Sequence, residues 1–366
     1  MKLKLIEFIK NNDDWERILT KKPYCLKIQK EDGYILFKYD MKRGCDFSEE
    51  LVREARGLIL KEDTLEVVCF PFVKFFNVDE EKAEQIDWNT AQVQEKLDGT
   101  LVNLWCDKDK YGIPTWHIST TGNINAFKAP ILNNPSQYKD FGELFMSAFD
   151  TSYLSDLNMD YTYMFELVSP YNKVIVRYPI TKIYHLGTRN NKTGHELNVD
   201  IGIEKPKLYN LSTELEVKNA ANNLPFDAEG YVVVDADYRR IKIKSPIWLN
   251  AHMLIRNNVI REQEALDLIR RNDESEFLSY FPEYKKDFAA LRAEYNKYAR
   301  KLEHKAEIIE EAKVNKKSRK DFALMVMKRM DDVADMAFLL YDNKIKDYKE
   351  FLDSLSVKKV IERMRR

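Results

Sequence analysis

Along the first two-thirds of the chain, apolar and polar positions alternate in short runs. Beyond Pro246 the apolar positions recur at helical spacing instead. Residues 1–20 read as a short amphipathic helix. Tyr24–Ile28 and Tyr34–Tyr39 read as strands around Glu31-Asp32-Gly33, a hairpin turn. Val67–Phe70 reads as a strand stopped by Pro71, followed by Lys74-Phe75-Phe76-Asn77. Leu101–Cys106 and Thr115–Thr120 are strands joined by the polar turn Asp107–Gly112, and Asp140–Phe149 is a helix. Tyr161–Val168, Val174–Tyr178 and Lys182–Leu186 are three further strands. Glu214–Ala221 is a helix, with Thr213 and Glu216 spaced as a capping box. Gly230–Val234 and Arg240–Lys244 form the last strand pair. Helices are then predicted over Ile260–Arg270, Tyr284–Ala312, Arg319–Leu340 and Lys346–Arg365. The outline is a mixed α+β domain over 1–246 and an all-helical domain over 247–366.

Composition narrows the function classes. The 366 residues suffice for about two to three domains, and 44% hydrophobic with 12% aromatic content excludes global disorder. Lys and Arg total 59 against 60 Asp and Glu, so any polyanion site must come from local clustering rather than net charge. The four cysteines show no CxxC spacing, which argues against a zinc or redox pair and for reduced thiols in a cytoplasmic protein. No run is apolar enough to span a bilayer, and a soluble protein is expected.

Candidate chemistry gathers around Gln94-Glu95-Lys96-Leu97-Asp98-Gly99-Thr100. Asp-Gly ends extended structure, so Lys96 is presented at a strand end within reach of a substrate. A lysine nucleophile must lose its proton, which burial and neighbouring cations favour. Glu166 sits within the apolar strand Tyr163–Val168, on the face of Met164 and Val168, where an isolated charge is costly. Glu229 stands at the start of Gly230–Val234. Lys242 and Lys244 share one face of their strand while Ile241 and Ile243 share the other, so two ammonium groups can meet a phosphate. Each feature also has an ordinary reading: a hairpin turn, an ion-paired Glu166, a solvated Glu229, the wet side of an edge strand.

In combination these segments resemble the nucleotidyl-transfer motifs of the covalent nucleotidyltransferases, and most closely the bacteriophage RNA ligase 1 family. Lys96-Leu97-Asp98-Gly99, Phe165-Glu166, Glu229-Gly230 and Lys242-Ile243-Lys244 carry the likeness. Ala55-Arg56-Gly57, Lys74-Phe75-Phe76-Asn77 and Phe165–Lys173 extend it, over about residues 30–255. The resemblance implies an adenylyltransferase domain of antiparallel sheets with flanking helices. It also implies an ATP-dependent RNA ligase using Mg²⁺, with Mn²⁺ able to substitute. Lys96 would take AMP from ATP, pass it to an RNA 5′-phosphate, and a 3′-hydroxyl would displace it.

The resemblance assigns roles as well. Lys242 and Lys244 hold the α-phosphate, and Arg56 and Lys74 hold the β and γ phosphates. Glu95 faces the nucleotide and Glu166 accepts a ribose hydroxyl. Glu229 binds or orients the metal, Phe76 packs by the nucleoside, and Tyr39 is a further phosphate contact. The implied substrate is broken RNA, with tRNA, single-stranded RNA or single-stranded DNA ends as versions of it, handled by a monomer in the cytoplasm, the host's if the source is viral. One departure stands out. Ser119-Thr120-Thr121-Gly122 carries hydroxyls where family members often place a cation just before the glycine. The alternatives are a DNA ligase, an mRNA capping guanylyltransferase, or a non-catalytic RNA-binding module. The first two normally continue into a strand-rich OB domain, whereas this sequence continues into helices. The basic run Lys313–Lys320 offers either an RNA contact or a solvated loop. The acidic group Asp273, Glu274 and Glu276 offers either a second metal site or wet surface.

Overall fold

A computed structural model describes residues 2–109, 111–131, 137–172, 174–256, 259–272, 274–315 and 318–365. It divides into two compact units, Met1–His252 and Met253–Arg366.

The first unit is built on three sheets. β1 (Leu26–Glu31), β2 (Tyr34–Tyr39), β3 (Arg56–Lys61) and β4 (Val67–Cys69) form an antiparallel meander in chain order. Asp32 and Gly33 both take positive φ in the β1–β2 turn, the tight hairpin read from the sequence. β2 is covered on both sides. Ile35 and Phe37 pack with Leu5 and Val52 of the flanking helices, while Leu36 joins Ile59, Val68 and Trp105. β5 (Phe76–Asn77) and β6 (Gln92–Glu95) belong to the third sheet. The second sheet has β7 (Thr100–Lys108), β8 (Pro114–Thr120), β9 (Tyr161–Val168), β10 (Lys182–Asn190) and β11 (Glu196–Leu197) in the order β11-β10-β9-β7-β8. Tyr163, Phe165 and Leu167 bury one face of β9 against Leu144 and Phe145, so Glu166 must point the other way. β12 (Leu208–Tyr209), β13 (Gly230–Val234) and β14 (Arg240–Lys244) complete the third sheet, ordered β12-β6-β13-β14-β5. Ile241 and Ile243 are its buried positions, as period two requires.

Several predicted elements differ. The N-terminal helix is two, α1 (Lys4–Asn11) and α2 (Trp15–Leu19). Asn12 turns extended and its side-chain amide donates to the Phe8 carbonyl at 2.7 Å, ending the first helix. The first strand begins at Leu26 rather than Tyr24. Val174–Tyr178 is not a strand: the N–H groups of Ile175 and Val176 donate to Asp98 instead of to a neighbouring strand. The helix expected over 140–149 is α3 here (Phe141–Met146), with Asp140 as its N-cap. α4 (Glu214–Asn222) is capped by Thr213, while Glu216 reaches back to the Ser212 N–H rather than to Thr213. α5 (Pro246–Leu254) follows β14.

The second unit packs around one long helix. α6 (Glu262–Arg271), α7 (Glu274–Tyr280) and α8 (Lys285–Val314) are followed by α9 (Arg319–Arg329), α10 (Ala334–Tyr341), α11 (Tyr348–Ser354) and α12 (Val357–Met364). α8 buries Phe288, Leu291, Tyr298, Leu302 and Ile309, a stripe at helical spacing, and contacts α6, α10, α11 and α12. Two predicted helices are broken. Arg319–Leu340 divides around the short 3₁₀ turn Asp331–Val333, where Asp332 pairs with Lys301 at 2.7 Å. Lys346–Arg365 divides at Leu355, because Ser356 is extended and caps the next helix. Short strands at Ile255–Arg256 and Val259–Ile260, and α7, were not anticipated. No described helix is long and apolar enough to cross a membrane.

Candidate active site

Lys96 follows β6 directly. Its backbone N–H donates to the Gly230 carbonyl at 2.9 Å, which locks the residue against the start of β13. Beyond it, the Asp98 carboxylate accepts from the N–H groups of Ile175 and Val176, both at 2.8 Å, and from the Trp248 indole at 3.1 Å. The Tyr178 hydroxyl accepts from the Asp98 N–H at 3.1 Å. The Gly99 N–H donates to Glu166 Oε1 at 3.0 Å. A Cβ on Gly99 would lie 2.3 Å from the Leu167 carbonyl, so only glycine lets the chain enter β7 this close to β9. The Asp-Gly pair is therefore the joint between the second and third sheets.

The cleft at this joint has a volume of about 160 Å³. Arg56, Glu95, Lys96, Glu166, Lys242 and Lys244 line it, together with Arg240, Phe72 and Phe75. Glu229 is buried at its base. It accepts from Lys96 Nζ at 2.6 Å through Oε2 and from Lys244 Nζ at 2.9 Å through Oε1. Gly230 carries φ +144°, and a Cβ there would lie 2.2 Å from the Ile243 carbonyl. That close approach draws the Glu229-Gly230 corner down onto β14.

Cations outnumber acids in this space. Burial holds the Lys242 ammonium down to about 7, reinforced by Lys74, Arg56, Lys96 and Lys244 around it. Lys74 is lowered for the same reason, burial first and then Arg56 and Lys244. Burial raises the Glu166 carboxyl to about 7, opposed by Lys96 and the Gly99 N–H and assisted by Glu229 and Asp98. Aromatic faces back the cations. Lys242 and Arg56 lie 5.1 and 5.3 Å from the Phe75 ring, and Lys244 lies 4.0 Å from Trp248. A half-buried set of positive groups with two carboxylates can hold a polyphosphate while fixing one amine beside it.

The sequence candidates are distributed around this cleft. Lys96, Glu166, Glu229, Lys242, Lys244, Arg56 and Glu95 meet there. Lys74 lies at its edge, acting electrostatically on Lys242. Phe76 does not line the cleft: its ring is buried under Lys74 at 4.5 Å, while Phe75 and Phe72 supply the aromatic wall. Tyr39 packs on Phe47 at 5.1 Å and pairs with Arg56 outside the lining. Arg240 joins the lining as well, since the same alternation puts it in line with Lys242 and Lys244. It pairs with Glu196 at 2.7 Å. Asp98 was read only as a turn residue, because its partners lie far along the chain. Asp273 lies outside the described residues, Glu274 pairs with Arg292, and no group of three metal-capable side chains occurs among the described residues. Of the basic run, Lys316 and Lys317 lie outside the described residues. Lys313 pairs with Glu310 at 2.8 Å, and Arg319 pairs with Asp342.

A model of the RNA ligase family, of the phage T4 RNA ligase 1 type, matches residues 54–248, more than half of the chain. The chain belongs to this RNA ligase family. An RNA ligase of Rhodothermus phage RM378 is 26% identical over 311 residues, covering 66% of this chain and 69% of that protein. A candidate bifunctional polynucleotide kinase/RNA ligase of Autographa californica nuclear polyhedrosis virus is 29% identical over 264 residues. That match covers 66% of this chain and spans only 36% of the viral protein. A solved archaeal ATP-dependent RNA ligase is 14% identical, with a TM-score of 0.47 over 80% of this chain and 79% of that one. The matched family segment contains Arg56, Lys74, Lys96, Glu166, Glu229, Lys242 and Lys244, and excludes Tyr39.

Proposed function

We propose that this chain is an ATP-dependent RNA ligase that joins 5′-phosphate and 3′-hydroxyl RNA ends in RNA repair. The observation that carries the reading is Lys96 Nζ, 2.6 Å from buried Glu229, in a cleft lined by Arg56, Lys242 and Lys244. Lys96 attacks the α-phosphorus of ATP, the bond to the β-phosphate breaks, and pyrophosphate leaves. Glu229 Oε2 is the acceptor placed to take the proton that Nζ loses. Lys242 and Lys244 neutralise the charge on the transferring phosphoryl group, and Arg56 and Lys74 hold the leaving pyrophosphate. AMP then passes to an RNA 5′-phosphate, and a 3′-hydroxyl displaces it. Glu166 accepts a ribose hydroxyl, with Glu95 near the nucleoside.

The donors present suit Mg²⁺, or Mn²⁺ in its place, held by a carboxylate such as Glu229 with substrate oxygens and water rather than by an all-protein cage. The ion would supply further charge neutralisation on the phosphates. The division into a transferase domain over 1–246 and a helical domain over 247–366 forms part of the reading. The helical domain contacts RNA in a monomeric enzyme, and tRNA or single-stranded ends are its substrates. Incubation with α-labelled ATP tests the core claim. A covalent AMP adduct should form, be acid-labile and vanish in Lys96→Ala. Absence of an adduct in the intact protein refutes it, and labelling with GTP instead points to capping chemistry.

A further inference from the structure

The family cleft leaves one cation unexplained. Lys38, near the end of β2, is partly buried and directly opposite Arg56 on β3. The pairing shifts by one residue here, and Gly57, at φ +90°, is the extra residue of the bulge. A Cβ on Gly57 would lie 3.1 Å from Thr121 Cα, so this bulge sits against the turn after β8. On that turn, the position of a Gly122 Cβ lies 3.0 Å from Lys38 Nζ. Three separated segments thus bring two cations and the Thr121-Gly122 turn together beside the cleft that Arg56 lines.

Like charges directly opposite on neighbouring strands repel, and partial burial sharpens the cost. No carboxylate forms an ion pair with either cation among the described residues, and Asp40 acts on Lys38 only from a distance. Arg56 has neutral partners, the Phe72 carbonyl at 3.4 Å and Tyr39. Among the described residues Lys38 makes no ion pair or hydrogen bond through its ammonium. Asp40 itself is bound to Lys27 at 3.2 Å. A structure that holds two cations together without an acid between them is poised for an anion.

We propose that Lys38, with Arg56 and the Thr121-Gly122 turn, forms a phosphate subsite at the edge of the cleft. Lys38 supplies there the positive charge that the Ser119–Gly122 segment lacks. The site lies in part outside the family-matched segment, which begins at residue 54. The phosphate comes either from the polyphosphate of the nucleotide or from the 5′ end of the polynucleotide. The inference rests on the proposed function for the identity of that ligand but not for the existence of the site.

The test uses the full chain and measures binding by calorimetry. One arm titrates inorganic pyrophosphate. The other titrates 5′-phosphorylated RNA against the same RNA with a 5′-hydroxyl. Lys38→Met should weaken at least one by about tenfold, as expected for one charged hydrogen bond. Lys38→Arg should retain the affinity, and Lys38→Met/Thr121→Lys should recover part of it by returning a cation to the turn. Weakening of pyrophosphate alone assigns the site to the nucleotide, and loss of discrimination between the two RNAs assigns it to the polynucleotide end. Removing one of two like charges should leave Tm equal or higher. A folded Lys38→Met with both affinities unchanged overturns the proposal, as does a Lys38→Arg variant no better than Lys38→Met. A wild-type protein that forms no AMP adduct overturns the ligase reading alone, since both binding arms still decide the role of Lys38.

Discussion

Filling the cleft with a nucleotide should make the protein take up a proton, and Lys242 should be its source of demand. In the cleft its ammonium is held near 7 by burial and by Lys74, Arg56, Lys96 and Lys244. At pH 8 the side chain is therefore mostly neutral. A triphosphate among these cations reverses the balance, because its negative charge stabilises the ammonium and pushes its pKa upward. With a starting value near 7, Lys242 should gain about 0.9 proton on binding at pH 8 and about 0.1 at pH 6. Calorimetry in two buffers of different ionisation enthalpy measures this number. The ligand is an ATP analogue with a methylene bridge between the α and β phosphorus atoms, so that no transfer follows. Glu166 also titrates near 7, so the diagnostic quantity is the difference between wild type and Lys242→Met. A difference near zero at pH 8, or one as large at pH 6, would refute the charge crowding argued here.

Further outcomes follow from the same geometry. Because the folded Lys242 pKa lies below its unfolded value of 10.5, the folded state resists a proton that the unfolded chain holds. The cost is full below about pH 7 and fades toward 10.5, so Lys242→Met should raise Tm more at pH 7 than at pH 9.5, and an equal shift at both would contradict it. Glu229→Gln removes the anchor that sets Lys96, and adduct formation should slow by about 100-fold, as for a nucleophile displaced by an ångström; single-turnover labelling reads this, and a wild-type rate would exclude Glu229 from positioning. Gly230→Ala drives a methyl group onto the Ile243 carbonyl and should cost about 3 kcal/mol in urea unfolding; an unchanged midpoint would mean the corner is looser than described. Asp98→Ala orphans the N–H groups of Ile175 and Val176 and the Trp248 indole, for an expected loss of about 3 kcal/mol and a shift in tryptophan emission.

The parts of the site carried by local alternation are legible in the sequence. Period two forces Lys242 and Lys244 to one side once Ile241 and Ile243 are buried, and does the same for Glu166 between Phe165 and Leu167. The Asp32-Gly33 hairpin was legible for a similar reason, since few residues tolerate positive φ. Val174–Tyr178 failed because its apolar run looks like a strand, yet its N–H groups are claimed by a carboxylate some 77 positions earlier. The long helices over 319–340 and 346–365 failed at Met330 and Ser356, where side-chain caps and ion pairs outweigh a continuous apolar period. Phe75 rather than Phe76 walls the cleft because β5 pairs with β14 through Phe76 and turns that ring inward.

By itself the chain of residues determined which side chains share a face of each strand, since alternation is a property of the backbone. It also determined that Lys96 stands at a strand end, since Asp-Gly cannot continue the strand. Only tertiary structure decided which faces meet. Glu229 reaches Lys96 across 133 positions, and Lys38 reaches Gly122 only because Gly57 bulges against the intervening turn. Those encounters depend on close approaches of three sheets, and such distances have no periodicity for a sequence to display.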